Sequence, residues 1–243
     1  MEQLATGERR VAFFGGSFDP PHLGHLGVAL AAHTALGLDT VLFVPVGTQP
    51  LKPNGSMASF EDRLAMTRLA IQNEPGFAVS LADTPRLSGE PNYTLETLLA
   101  LRTELGPENT LFCLMGADSF AGFRGWHRAA EIPFVAPLIV ASRPGELREG
   151  LIAALTEGLA FEAGHEASEV VSGVEVRTYL LRNLVGDSTP FYLLPGLDIE
   201  ISASEIRERL RVRRLAAHEL EEDARALLPG SVLDYILAHR LYR

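Results

Sequence analysis

The sequence predicts an α/β fold built on a doubly wound parallel sheet with helices on both faces. Short apolar segments typical of buried strands alternate with longer segments typical of helices along most of the chain. The first 46 residues contain a strand, a helix and a second strand, and units of this kind pair their strands in parallel with a right-handed crossover. With 243 residues, 47% of them hydrophobic and 21% charged, the chain can bury a sizeable core.

The first two predicted strands and the helix between them have clear boundaries. Residues 11–14 form a short apolar run that ends at a glycine pair, which predicts a buried strand. Residues 22–36 are rich in alanine and leucine, and Gly37 follows them as a typical helix end. The β-branched and apolar run TVLFVPV predicts the second strand over residues 40–46.

A loop rich in glycine, proline and asparagine leads to the next elements. Ser59, followed three residues later by Asp62, resembles a capping box and predicts a helix over 59–72. We further predict a strand over 77–81 and a helix over 94–105 that is closed by Gly106.

The second half continues the alternation but has a weaker pattern in its middle. Strands are predicted at 110–115, 137–141 and 191–194, and a charged helix at 202–214. Between 146 and 189 a helix over 146–158 and a strand over 174–181 are the only elements that the pattern favours. The last segment is an amphipathic helix with one apolar face, formed by Val232, Leu233, Ile236 and Leu237. Since repeats, low-complexity tracts and clear linkers are absent from the sequence, we expect a single domain over 1–243 with C-terminal helices.

Charge and composition exclude several classes of partner. The 31 acidic and 21 basic residues give a net charge of −10, and such a surface repels nucleic acid and anionic membranes. No apolar run approaches the roughly 20 residues of a membrane span, and the N-terminus lacks a secretion signal, so we expect a cytoplasmic protein. The single cysteine, Cys113, cannot support a disulfide framework or a thiolate metal site.

The segment FFGGSFDPPHLGHL places small and ionisable residues where the first strand meets the first helix. Ligands of parallel sheets bind at such junctions, and the helix N-terminus there favours anions. Gly15, Gly16 and Ser17 let backbone N–H groups approach a ligand, and His22 and His25 project from one helix face because they are three residues apart. The segment therefore predicts a phosphate cradle.

Two other interpretations of the histidine pair stay open. Pairs with this spacing also occur for purely structural reasons. They can also share a metal ion, but zinc needs a third ligand. The nearest acid is Asp19, which lies in a turn where it can equally cap a helix.

A second segment near the C-terminal end has the chemistry of an anion site. In ISASEIR, residues 201–207, Ser202 and Ser204 are typical N-cap residues at the start of a helix, and Arg207 lies one turn in. Alternatively, this is a solvated helix whose Arg207 pairs with Glu205 or Glu208. GGSFDPPHLGHL and ISASEIR, in this order and about 180 residues apart, resemble the two signatures of the nucleotidyltransferase superfamily.

Further segments narrow the resemblance to the bacterial nicotinate mononucleotide adenylyltransferase family. They are VLFVPVGTQPLKP (41–53), PNYTLETL (91–98), MGADS (115–119), GWHRAAEI (125–132), SRPG (142–145) and the terminal LPGSVLDYILAHRLY. The resemblance covers nearly the whole chain, is weakest over 146–189, and implies a Rossmann-like fold. It implies transfer of AMP from ATP to nicotinate mononucleotide, in NAD biosynthesis.

The resemblance also implies an ATP site. Its catalytic residues would be His22, His25 and Arg207, which would hold the phosphates of ATP, while Asp118 would hold the ribose. The full implied set is Gly15, Gly16, Ser17, Phe18, His22, His25, Gly116, Asp118, Ile201, Ser202, Ser204 and Arg207. For Asp118, which follows a predicted strand end, helix capping is the alternative role.

The implied acceptor site centres on Trp126, the only tryptophan, as a platform for the nicotinate ring. Its carboxylate would be held by Thr94 and by backbone near His127, and its phosphate by Lys52. The full implied set is Ser17, Lys52, Tyr93, Thr94, Trp126, His127 and Arg143. The alternatives are that Trp126 anchors the core or an interface, that Thr94 is a helix N-cap, and that Lys52 is a solvated charge.

The implied reaction is attack of the mononucleotide phosphate on the α-phosphorus of ATP, with release of pyrophosphate. Mg²⁺ would accompany ATP without a dedicated protein site. The chain departs from the family pattern at Gln49-Pro50-Leu51-Lys52, where Pro-Pro-His-Lys is usual, which puts one contact of that loop in doubt. A relative with another acceptor (nicotinamide mononucleotide or phosphopantetheine), a cytidylyl reaction, a non-catalytic nucleotide-binding module and a homo-oligomer all stay open.

Overall fold

The structure is a computed structural model that describes residues 8–49, 55–142, 150, 153–197, 201–212 and 225–243. Its centre is an eight-stranded sheet with the strand order β3-β2-β1-β4-β5-β8-β7-β6. The six strands from β3 to β8 in this order are mutually parallel, and β7 and β6 add to them in antiparallel pairing. The strands are β1 (Arg10–Gly16), β2 (Thr40–Pro45), β3 (Phe77–Val79), β4 (Thr110–Gly116), β5 (Leu138–Ala141), β6 (Leu159–Val171), β7 (Val174–Asn183) and β8 (Ser188–Leu194).

Helices cover both faces of the sheet. They are α1 (Leu23–Ala35), α2 (Phe60–Ile71), α3 (Thr94–Leu105), α4 (Ala117–Ala121), α5 (Ile132–Val135), α6 (Ala203–Val212) and α7 (Gly230–His239). Two short 3₁₀ turns, Phe123–Gly125 and Ala129–Glu131, lie between α4 and α5. Within the described ranges, no helix has both the length and the apolar character required to cross a bilayer.

The alternation of side chains along β1 explains the two faces. Val11 and Phe13 point into one hydrophobic cluster, with α3, α4 and α5, while Ala12 and Phe14 point into another, with α1, α2, α6 and α7. A strand buried on both faces has to be apolar at every position, and four consecutive residues of β1 are indeed buried. The predicted doubly wound α/β class is therefore confirmed.

Most predicted boundaries agree with the structure to within a few residues. Ser59 caps α2, because its hydroxyl oxygen accepts the N–H of Asp62 at 3.0 Å. Gly37 follows the end of α1 with φ of +55°, a conformation that favours glycine. The apolar face of α7 is buried at Val232, Leu233 and Ile236. Short helices α4 and α5 were not predicted, since four or five residues carry too little periodicity.

The weak middle segment contains the largest error of the sequence prediction. Residues 159–171 form β6, for which no strand was predicted. This segment, LAFEAGHEASEVV, contains a glycine and a histidine and has no long run of apolar β-forming residues. Its local propensity to form a strand is therefore low. It becomes an edge strand through pairing with β7, with an irregularity between Phe161 and Glu166 where Gly164 has φ of +78°.

The other predictions for this segment have mixed outcomes. The strand predicted over 174–181 is present as β7. Of the helix predicted over 146–158, residues 150, 153 and 154 are helical, whereas 146–149 and 151–152 lie outside the described residues. Residues 213–214 of the charged helix also lie outside them.

Candidate active site

The sheet creates a ligand-binding position between β1 and β4. The chain leaves β1 toward β2 on one side, while β4 lies on the other side, so the connections diverge at the carboxyl ends of these strands. A cavity of about 600 Å³ opens there. The cavity is lined by eight of the site residues predicted from the sequence: Gly15, Gly16, Ser17, Tyr93, Thr94, Asp118, Trp126 and His127.

One wall of the cavity is the N-terminal end of α3. The alternative role of Thr94 as the N-cap of this helix is wrong. The N-cap is Tyr93, and Thr94 is the first helical residue, without a capping role. The helix starts one residue earlier than a Thr94 cap requires, since the N–H of Thr97 already bonds to the carbonyl of Tyr93 at 3.2 Å. The first N–H groups of this 12-residue helix therefore lie beside the cavity and make it favourable for an anion.

Aromatic side chains form the neighbouring wall. Trp126 is half-buried and its ring lies 5.6 Å from that of Phe123, so it packs on the core and also faces the cavity. The ring of His127 lies 4.4 Å from that of Tyr93. Both interpretations of Trp126, as a core anchor and as a platform for a flat ring, are compatible with this position.

Three polar residues of the cavity were missed by the sequence prediction. The amide of Gln49 donates to the hydroxyl oxygen of Ser17 at 2.7 Å. Asn92 accepts the N–H of Thr48 at 3.1 Å and so fixes the loop before α3. Asp83 is buried and accepts the hydroxyl of Thr97, and burial raises the pKa of its carboxyl. Asn92 and Gln49 lie in quoted segments, whereas Asp83 carries no local signal.

Beside the cavity residues, the histidine pair lies at the start of α1. His22 is the N-cap residue and its N–H donates to Nδ1 of His25 at 3.2 Å. The two rings stack with centroids 3.7 Å apart, as the three-residue spacing predicts. Because Nδ1 of His25 accepts, its proton is on Nε2, which makes that atom a donor. Nδ1 of His22 is a buried atom without a hydrogen-bond partner within the described part of the chain.

Both imidazoles are neutral near pH 7. Burial lowers the pKa of His22 from 6.5 to about 4. Burial also lowers the pKa of His25 well below 6.5, and a protonated His22 would lower it further by repulsion. A neutral imidazole still has one N–H donor to offer to a phosphate oxygen.

These lowered pKa values predict a pH dependence of stability. The unfolded chain protonates its histidines near pH 6.5, whereas folded His22 stays neutral down to about pH 4, so stability falls as the pH decreases through this window. For His22 alone we expect a loss of about 2 kcal/mol between pH 7.5 and 5. Urea unfolding of the wild type and of His22→Asn across this range measures it. Parallel curves for the two proteins would contradict the assignment.

The second sequence motif reaches the first one through Arg207. Its Nη1 donates to the backbone carbonyl of Asp19 at 2.7 Å and its Nη2 to the hydroxyl of Ser204 at 3.0 Å. The alternative in which Arg207 pairs with Glu205 or Glu208 is wrong, because these carboxylates instead pair with Arg209 at 2.6 Å and Arg211 at 3.9 Å. The carbonyl of Ser202 accepts the N–H of Ile206 at 3.0 Å, which places Ser202 at the N-cap of α6.

A second arginine, Arg63 of α2, also holds the loop that follows β1. It is 2% exposed, and it donates to the carbonyls of Ser17 at 2.6 Å and Val46 at 2.8 Å. The carbonyl of Gly16 meanwhile accepts the N–H of Val46 at 2.9 Å. Since the C=O and the following N–H of a trans peptide point in opposite directions, the N–H of Ser17 points away from Val46 and the N–H of Phe18 points away from Arg63. Both N–H groups are therefore directed away from the partners that hold the loop.

Asp19 does not act as the third metal ligand that one interpretation required. Its carboxylate accepts the backbone N–H groups of Met57 at 2.7 Å and Ala58 at 3.1 Å. It therefore fixes the segment before α2. Among the described residues, no group of three His, Cys, Asp or Glu side chains is arranged to hold a metal ion.

The predicted site residues thus fall into two adjoining groups. The first group lines the cavity and comprises Gly15, Gly16, Ser17, Tyr93, Thr94, Asp118, Trp126 and His127. The second group, around the loop after β1 and the start of α6, comprises Phe18, His22, His25, Ile201, Ser202, Ser204 and Arg207, and the ring of Phe18 lies 4.9 Å from that of His25. Gly116 precedes α4 as its N-cap. Lys52 and Arg143 lie outside the described residues.

The short distance between Gly15 and the ring of Phe13 explains why this position has no side chain. A Cβ at Gly15 would lie 2.6 Å from Cζ of Phe13, so a side chain here would displace the buried ring. Glycine at position 15 therefore lets the backbone line the cavity without moving Phe13.

Comparisons with known proteins agree with this geometry. The family described as cytidylyltransferase-like matches residues 13–209. A probable nicotinate-nucleotide adenylyltransferase from Dechloromonas aromatica is 39% identical over 234 residues, which covers 96% of this chain and 97% of the relative. Another, from Aeromonas salmonicida, is 37% identical over 233 residues and covers 96% and 97%.

A solved structure shares the fold. Plasmodium falciparum nicotinic acid mononucleotide adenylyltransferase, complexed with NaAD, superimposes with a TM-score of 0.66 at 18% identity, covering 97% of this chain and 98% of that one. Because the sequence similarity to the curated relatives extends along nearly the whole chain, this protein belongs to the nicotinate-nucleotide adenylyltransferase family of cytidylyltransferase-like proteins.

Proposed function

We propose that the chain transfers AMP from ATP to nicotinate mononucleotide, which gives deamido-NAD and pyrophosphate. The observation that carries this proposal is the shared cavity in which Trp126 and the N-terminal end of α3 adjoin the loop after β1. A flat ring with a negative substituent suits the first two features, and phosphates suit the third. The names of the relatives, given above, support the same reaction.

The acceptor would place its ring against Trp126 and its carboxylate at the first N–H groups of α3. Thr94 would contribute its hydroxyl there, beside the rings of Tyr93 and His127, which contact each other at an angle. Ser17, whose hydroxyl is held by Gln49, would meet the phosphate. Contacts of Lys52 and Arg143 with the mononucleotide stay predictions from the sequence.

ATP would bind along the loop after β1 and over the start of α1. Asp118, at the cavity edge, would hold the ribose. His22 and His25 would donate to the phosphates from the start of α1, and Arg207 from the start of α6. Arg207 suits this role because a guanidinium has five N–H donors, so it can contact a phosphate while two donors hold Asp19 and Ser204.

The chemistry requires positioning more than proton transfer. A phosphate oxygen of the mononucleotide forms a bond to the α-phosphorus as the bond to the bridging oxygen breaks, and pyrophosphate leaves with that electron pair. The attacking phosphate is already an anion, so no protein base is needed. Orientation of the two substrates and stabilisation of the transferring charge would supply the rate. Cys113 takes no part as a nucleophile, because burial raises the pKa of its thiol to about 12.

Mg²⁺ belongs to the proposal as the partner of ATP. The carboxylate of Asp19 is engaged by backbone donors, and no group of three His, Cys, Asp or Glu side chains among the described residues is arranged to hold a cation. The ion would therefore be held by ATP oxygens and water, where it would neutralise charge on the triphosphate. We expect the reaction in the cytoplasm, with ATP and the mononucleotide as partners.

Comparison of acceptors tests the proposal. We expect kcat/KM for nicotinate mononucleotide to exceed that for nicotinamide mononucleotide by about 10-fold or more, because only the acid has a charge for the end of α3 to stabilise. Pyrophosphate release measured with both acceptors, and with phosphopantetheine as a control, gives this ratio. Equal values for the two mononucleotides would refute the preference for the acid. ATP binding without pyrophosphate release would instead indicate a non-catalytic nucleotide-binding module.

A further inference from the structure

The carboxylate of Asp19 has an additional partner from a distant part of the chain. The hydroxyl of Tyr242, 223 residues away in sequence, donates to its Oδ1 at 2.7 Å. Both residues are buried, with 4% of Asp19 and 6% of Tyr242 exposed. Three donors therefore satisfy one buried carboxylate, and Tyr242 is the only side chain among the three.

Tyr242 is well suited to be a permanent donor. Burial and the charge of Asp19 raise the pKa of the Tyr242 hydroxyl well above its ordinary value, so the hydroxyl stays protonated. Its backbone has φ of +60°, which is rare for a residue with a side chain, and such a conformation persists only where the surroundings fix it. The residues after α7 are thus held in one arrangement against Asp19.

Asp19 is also the residue through which Arg207 contacts the loop. Its backbone carbonyl accepts Nη1 of Arg207, while its side chain is fixed by Tyr242. Two residues earlier, the carbonyl of Ser17 is held by Arg63. A movement of the Asp19 side chain would therefore shift both the backbone donors of the loop and the carbonyl that orients Arg207.

We propose that Tyr242 is a positioning residue for AMP transfer. Through Asp19, it holds the loop after β1 and Arg207 in the positions that bind the phosphates of ATP. This proposal rests on the proposed function for its reaction, but its effect falls on ATP, whichever acceptor is used. It gives a role in the reaction to the terminal segment LPGSVLDYILAHRLY, whose other described contacts are the core face of α7 and hydrogen bonds to α2.

Tyr242→Phe removes the hydroxyl and keeps the ring. Without this donor, Oδ1 of Asp19 retains only the N–H of Ala58 at 3.1 Å, so the side chain and the loop lose their fixed position. We expect kcat/KM for ATP to fall about 10-fold, since small displacements of positioning groups have effects of this order. The KM for nicotinate mononucleotide should stay within about twofold, because the end of α3 and Trp126 are untouched.

Tyr235→Phe is the matched control. Tyr235 lies on α7 and its hydroxyl donates to Oδ1 of Asp62 at 3.0 Å, so this change also removes one tyrosine–aspartate hydrogen bond between the C-terminal segment and the rest of the fold. Asp62 belongs to α2 and not to the loop after β1. We expect kcat/KM for ATP within about twofold of the wild type, with a loss of thermal stability similar to that of Tyr242→Phe.

A double-mutant cycle with Asp19→Asn separates positioning from a general loss of stability. If Tyr242 acts through Asp19, Tyr242→Phe should change kcat/KM for ATP much less in the Asp19→Asn background. The proposal is overturned if the two effects are independent, if both tyrosine variants have the same effect on activity, or if Tyr242→Phe lowers only the amount of folded protein.

Calorimetric titration with ATP tests the positioning role of Tyr242 separately from the proposed function. A weaker affinity in Tyr242→Phe but not in Tyr235→Phe supports the positioning role without any acceptor present. A wild type that binds ATP but transfers AMP to neither pyridine mononucleotide would refute the proposed function alone. Unchanged ATP affinity and unchanged kcat/KM in Tyr242→Phe would refute the positioning role alone.

Discussion

Replacement of His22 or His25 by alanine should each lower kcat by about 10²–10³-fold, the size of effect expected for removal of one electrostatic donor from a transferring group. The two imidazoles stack at the start of α1, and burial keeps them neutral in the free protein. Each then offers a single N–H, and alanine removes it. Steady-state pyrophosphate release at saturating ATP and acceptor measures the change, normalised to the folded fraction from circular dichroism.

His33→Ala is the control for this pair. His33 lies on the same helix but near its end, where its ring packs against Phe77 at 5.9 Å, far along α1 from His22. We expect its loss to alter stability and to leave kcat per folded molecule near the wild-type value. If His22→Ala and His25→Ala behaved in the same way as this control, the pair would be structural and the phosphate role would be wrong.

Arg207→Ala should lower kcat/KM for ATP by about 10²–10³-fold, because it removes both a phosphate donor and the side chain that holds the carbonyl of Asp19. Arg207→Lys should recover only part of the loss, since an ammonium lacks the planar fork that reaches two acceptors and a phosphate together. Initial rates at varied ATP concentration, with the acceptor saturating, measure both variants.

Arg209→Ala provides the matched control on the same helix. Arg209 pairs with Glu205 at 2.6 Å on the surface of α6, so its removal changes the charge of this helix equally without touching the loop after β1. An effect of Arg209→Ala as large as that of Arg207→Ala would mean that the net charge of α6 matters and not the contact with Asp19.

Much of the candidate site was predictable because its chemistry is encoded by local spacing. The spacing of three positions between His22 and His25 predicts that the two rings lie together at the start of the helix, and the structure shows them stacked. The relation between ISASEIR and the first loop was predictable only as a resemblance, since the actual contact joins residues 188 positions apart.

Other parts of the site had no local signal. Asp83 is an unremarkable loop acid in the sequence, but in the structure it lines the cavity and accepts the hydroxyl of Thr97 of α3. Thr94 has the residue type of an N-cap, but the N-cap of α3 is Tyr93, next to Asn92, which accepts the N–H of Thr48. In both cases the segment is hydrogen-bonded to residues distant in the sequence, which a local pattern does not reveal.

By itself, the sequence determined the α/β class, the order of most elements, the helix ends at Ser59 and Gly37, and the donors at positions 22, 25 and 207. These follow from periodicity, capping and residue chemistry, which act over a few neighbouring residues. Only the tertiary structure decided that Leu159–Val171 is a strand, that Trp126 and α3 share a cavity, and that Tyr242 fixes Asp19. Strand pairing and buried hydrogen bonds supply these features, and they depend on which distant segments the sheet brings together.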